Sequence, residues 1–143
     1  MLKDKIILVT GAGDGIGKSA AISYASQGAT VILLGKTKAK LEKVYDEIEE
    51  SNHPTPLISL MDFSKADGND YQELVDNLIK DYKQLDGLLL NAAILGDRSP
   101  IEQYDVAKWV ETIHINLTSQ FILIKTLLPA LKNSNNASVL FTS

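Results

Sequence analysis

Cysteine is absent from the 143 residues, and histidine occurs only at positions 53 and 114. The first absence excludes disulfides, thiolate metal sites and cysteine nucleophiles together, and it suits a cytoplasmic location. His53 and His114 are too few for a histidine-rich metal site. Lys and Arg number 14 against 18 Asp and Glu, a net charge of −4. That balance lacks the basic face that a nucleic acid or an anionic membrane surface would want. No apolar run approaches the ~18–20 residues that span a bilayer. Residues 6–9 are also too short for the core of a secretion signal, because Thr10-Gly11-Ala12-Gly13 breaks the run at once.

What remains has the composition of one folded domain over residues 1–143, with 45% hydrophobic and 22% charged residues. Short β-rich runs alternate with longer helical patterns. Residues 5–10, 30–34, 55–61, 85–91 and 137–142 read as five strands, the first two as continuous apolar runs of the kind buried on both faces. Helices are predicted over residues 16–27, 38–50 and 71–82, with Gly28 closing the first. A long helix is predicted over 106–132, its apolar stripe running through Ile113, Leu117, Phe121, Ile124, Leu128 and Leu131. Strand and helix in strict alternation imply an α/β fold with a parallel sheet and helices on both faces; a doubly wound sheet of Rossmann type is expected, in the order 3-2-1-4-5. Ligands bind such sheets at the carboxyl ends of the strands, near the point where the strand order reverses.

Thr10-Gly11-Ala12-Gly13-Asp14-Gly15-Ile16-Gly17 lies between the first strand and the first helix. Glycines there let the backbone turn tightly and approach a pyrophosphate, while the free N–H groups of the helix favour the anion. The alternative is a tight turn that binds nothing. The spacing Gly11-x-x-x-Gly15-Ile16-Gly17 resembles the cofactor loop of the short-chain dehydrogenase/reductase family. Leu85 to Ala93 and Ile115 to Phe121 resemble, in order, the family's fourth-strand segment and its long-helix segment, although Leu90 and Ala93 stand where the family has Asn and Gly.

The resemblance implies a cofactor site made by Gly11, Gly15, Ile16, Gly17, Lys36, Asp62, Phe63, Asn91 and Ala92. At the end of the second strand a carboxylate would bind the ribose hydroxyl of NAD, whereas a cation would welcome the extra phosphate of NADP. The stretch reads Leu34-Gly35-Lys36-Thr37, so NADP is expected ahead of NAD. Asp14 opposes this, because NADP-preferring relatives often carry a basic residue at its position; Lys36, Lys38 or Lys40 could offset its charge. Asp62 is expected to accept from the adenine amino group; the alternative is that Asp62 or Ser64 caps the following segment.

The family's catalytic set is a serine, a tyrosine with a lysine four residues on, and an asparagine that orients a water. Asn116 matches the asparagine, with a structural hydrogen bond as the alternative. Ser143 matches the serine or the residue just before it. Tyr104-x-x-x-Lys108 fits the remaining pattern by chance, since it precedes Asn116 and the fifth strand. His114 is assigned to the surface or an interface. The chain therefore resembles the N-terminal, cofactor-binding portion of a longer reductase acting on a carbonyl or alcohol substrate. It is expected to bind cofactor without turning over, and to form a homo-oligomer through an exposed second face of the long helix. A non-catalytic nucleotide-binding module is the other reading.

Overall fold

A computed structural model describes all 143 residues. The apolar runs form five strands: β1 (Ile6–Thr10), β2 (Thr30–Gly35), β3 (Leu57–Leu60), β4 (Gly87–Leu90) and β5 (Ser138–Phe141). Every pairing is parallel, and the order across the sheet is β3-β2-β1-β4-β5. This is the expected doubly wound arrangement. The connecting helices are α1 (Gly15–Ser26), α2 (Lys38–Glu50) and α3 (Gly68–Tyr82). Between β4 and β5 run α4 (Val106–Ile113), a π turn (His114–Thr118) and α5 (Ser119–Lys132).

Alternation along each strand divides the core into two layers. Ile6 and Leu8 of β1 join Leu74 and Leu78 of α3 and Leu123 and Leu127 of α5 on one face. Ile7 and Val9 join Ala21 and Ala25 of α1 and Leu41, Val44 and Ile48 of α2 on the other. Each fully buried leucine or isoleucine contributes roughly 1.5–3 kcal/mol, so both faces of the central strands are anchored. At the opposite end from the glycine loop, buried Asp86 ties three segments together. It accepts from Ile6 N at 2.9 Å, Gln84 Nε2 at 2.9 Å and Ser134 Oγ at 2.6 Å.

Two helices depart from the sequence reading. Helix α3 starts at Gly68 rather than near Tyr71, because Asp67 accepts from Asn69 N and Asp70 N while Asp70 accepts from Asp67 N. This reciprocal cap extends the helix by a turn that carries no apolar side chain to announce it. In the long helix, Ile113, Leu117, Phe121 and Leu128 of the expected stripe are exposed, and the side buried against the sheet holds Ile115, Ser119, Leu123, Leu127 and Ala130. Only Ile124 and Leu131 of that stripe reach the core. The helix is apolar on two sides, so periodicity alone could not choose between them.

Candidate cofactor-binding site

The β1–β4 ladder ends at Val9 paired with Leu89. Just beyond it, Thr10 Oγ1 accepts from both Asn91 N and Ala92 N at 2.9 Å. From this clasp the chains diverge: β1 passes into the glycine loop and β4 into the segment that leads to the long helix. Between them lies a cavity of about 520 Å³ at the carboxyl ends of the strands, the place where open α/β sheets bind ligands.

Gly11, Gly15, Lys36, Asp62, Phe63, Asn91 and Ala92 all line this cavity. The structure therefore brings together residues that are up to 81 positions apart in sequence. Gly15 has φ +53°, and a Cβ built on it would meet nothing within 4 Å. The space in front of the α1 N-terminus is accordingly open to an anion that helix amides could bind. Gly17 lies behind the loop; a Cβ there would collide with the Gly11 carbonyl oxygen and come within 2.7 Å of Asn91 Nδ2. Its role is to let α1 press against the loop. Ile16, in the first turn of α1, is 67% exposed. Neither Ile16 nor Gly17 lines the cavity.

Two carboxylates face the same opening. Asp14 caps α1 by accepting from Gly15 N at 2.8 Å and pairs with Lys40 Nζ at 3.3 Å. The Gly15 N–H, followed by Lys40, holds its carboxyl below the ordinary value of 3.8. Asp62 Oδ1 accepts from the Ser64 hydroxyl at 2.6 Å and from Ser64 N at 2.9 Å. The hydroxyl is the largest cause of that carboxyl's lowered pKa. Asp62 thus closes a local turn with Ser64 while Asp67 caps the following helix, and Asp62 lines the cavity as well.

Asn116 lies in the π turn, where its amide clamps both backbone polar groups of one residue. Oδ1 accepts from Ile94 N and Nδ2 donates to Ile94 O, both at 2.8 Å. The adjacent His114 is half-buried, with Nε2 3.1 Å from Phe63 O. Together they fasten the π turn to the loops after β4 and β3, and Ile115 between them forms part of the cavity wall. Ser143 is exposed just past β5, whose neighbour Thr142 donates from Oγ1 to Asn91 Oδ1 at 3.0 Å. Tyr104 belongs to the β4–α4 connection: its hydroxyl accepts from Asp97 N at 3.0 Å and its ring meets Trp109 edge-on. Lys108 pairs with Glu111 instead. The unread contributors were Thr10 and Ile94; a hydroxyl residue ending a buried strand was the available signal for the first.

The model of the short chain dehydrogenase family matches residues 5–143. The chain belongs to this family. Among curated short chain dehydrogenase relatives, the Escherichia coli K12 protein named as uncharacterized oxidoreductase YciK is 41% identical over 143 residues, all of this chain and 57% of that protein. The 11-beta-hydroxysteroid dehydrogenase A of Sesamum indicum is 30% identical, over 97% of this chain and 39% of its own length. A crystal structure of a short chain dehydrogenase from Shigella flexneri superposes with a TM-score of 0.95 at 42% identity, covering 99% of this chain and 56% of that one. An Escherichia coli CFT073 protein crystallised with NADPH gives a TM-score of 0.95 at 42% identity, covering 99% and 59%. The chain thus spans a little over half the length of these bacterial relatives. No helix is long and apolar enough to cross a membrane.

Proposed function

We propose that this chain binds NADP(H) in the cavity at the strand ends and that it serves, within the whole protein, an oxidoreductase that acts on a small carbonyl or alcohol substrate. The observation that carries the reading is the joining of two features on one cavity. The open space before Gly15 fits a diphosphate, and the end of β2 presents exposed Lys36 with no carboxylate in Gly35-Lys36-Thr37. A cation in that position attracts the additional phosphate of NADP, whereas an acidic residue would favour NAD. The NADPH complex of the Escherichia coli CFT073 relative supports the same assignment.

When bound, the nicotinamide supplies or accepts the hydride. In this reading the Gly11–Gly17 loop and the α1 amides hold the diphosphate, while Lys36 takes the extra phosphate. Asp62 and Phe63 border the adenine, Asn91 and Ala92 shape the wall beside the ribose, and Ile16 shields the loop's outer edge. Asn116 keeps the loop after β4 in place, and Ser143 is the candidate in this chain for polarising the substrate oxygen. No Tyr-x-x-x-Lys follows Asn116 within the 143 residues, so this chain is expected to bind cofactor without oxidising NADPH. A nucleotide-binding module without chemistry is the second reading. It is favoured by the Asn116 amide, whose two ends are both engaged by Ile94. A cytoplasmic location and a homo-oligomeric state complete the proposal.

Fluorescence titration with NADPH and NADH, comparing the chain with Lys36→Glu, tests the cofactor assignment. NADPH is expected to bind more tightly than NADH, and the preference to vanish in the variant. Equal binding of both nucleotides by the unaltered chain would overturn it.

A further inference from the structure

Three lysines cluster around the first turn of α2, and the structure gives each a different employment. Lys36 faces the cavity and forms no ion pair. Lys38 reaches Glu42 on its own helix at 3.7 Å and lies outside the cavity lining. Lys40 extends across the cavity mouth to Asp14, the carboxylate of the glycine loop, at 3.3 Å. Gly13 makes that reach feasible: a Cβ on it would come within 3.0 Å of the Lys40 Cβ, so the missing side chain lets α2 close on the loop.

Asp14 poses an electrostatic problem for an enzyme of NADP type. Its charge stands on the same cavity rim as Lys36, and one of its oxygens caps α1. The carboxylate's charge can be offset without losing the cap by a neutral capping side chain at that position or by a nearby counter-ion. We propose that Lys40 is a specificity-determining residue which acts through Asp14: by neutralising the loop carboxylate it lets the cavity accept a phosphate beside Lys36, so that the Asp14–Lys40 pair, and not Lys36 alone, sets the preference for NADPH over NADH. This rests on the cofactor reading above and adds a second residue pair to it. The pair is open to solvent, so its effect on binding is moderate. A unit charge several ångströms from a phosphate in a nearly aqueous medium alters affinity by about fivefold, and added salt shrinks the effect.

The test is the ratio of NADPH to NADH affinity at low ionic strength in Lys40→Met, in Asp14→Asn/Lys40→Met and in Lys38→Met. Losses common to both nucleotides cancel in that ratio, and asparagine preserves the α1 cap. Lys40→Met is expected to lower the ratio by about fivefold. The double variant should restore it to that of the unaltered chain, and Lys38→Met should leave it unchanged. Lys40→Gln, which keeps a polar chain of similar length, should repeat the result of Lys40→Met. An unaltered ratio in Lys40→Met would overturn the inference. So would a double variant as impaired as Lys40→Met, because Lys40 would then be acting on the phosphate directly. Lys36→Glu separates the two failures. If it abolishes the preference while Lys40→Met does not, only the present inference falls; if the unaltered chain has no preference, the cofactor reading falls with it.

Discussion

At the scale of single residues, each carboxylate on the cavity rim takes a hydrogen bond from a near neighbour in sequence, Asp14 from Gly15 N and Asp62 from Ser64. Asp62 is held ionised chiefly by the Ser64 hydroxyl. A native pKa below the unfolded value means that the ionised form favours folding. The contribution is fully present above the unfolded value of about 3.8 and is lost as pH falls through the lower native one. Ser64→Ala should therefore raise the Asp62 titration toward 3.8, read from its carboxyl carbon shift by NMR; an unmoved titration would contradict the hydroxyl's role. Glycine spacing in the loop was legible in the sequence because only a few residue types tolerate such a turn. The Asp14–Lys40 contact, which joins residues 26 apart, was one of three lysine options and required the docking of α2 to single it out.

Among the elements, the long helix carries the most information. A π turn widens the backbone at His114–Thr118, and such turns recur at functional sites because they displace side chains from the regular face. Here it aims Asn116 at Ile94 and His114 at Phe63, so one irregular turn fixes two loops of the cavity. Asn116→Ala should strip both hydrogen bonds from Ile94 and cost about 1–3 kcal/mol in denaturant unfolding. Hydrogen exchange at the Ile94 amide should accelerate more than at core amides of β1. Unchanged exchange there would refute the clamp. The sequence marked Asn116 through its flanking motif, yet it could not show the widened turn, since nothing in local propensity separates it from regular helix. Nor could it orient the helix. Leu117 and Leu123 are equivalent to a periodicity count, and only contact with the sheet distinguishes them.

For the whole molecule, the parallel sheet and the two-layer core followed from the alternation of apolar runs and amphipathic helices, because few ways exist to bury both faces of such a sheet, whereas the strand order is one of several that this alternation allows. The sheet's last strand is a different matter. Every residue of β5 is exposed, with Leu140 and Phe141 on opposite faces of the strand, and on the long helix Leu117 and Phe121 are 63% and 65% exposed. A surface this apolar should make the chain associate as concentration rises. Sedimentation velocity is expected to show that association, and Leu117→Lys/Phe121→Glu to reduce it; a monomer at all concentrations in the unaltered chain would contradict this. Thr10 acts at this scale too. A single oxygen atom grips both first peptides beyond β4, so the two halves of the sheet part at one fixed place. The width of the doorway through which a ligand enters is thus decided before any ligand arrives, by a side chain that does not itself line the chamber.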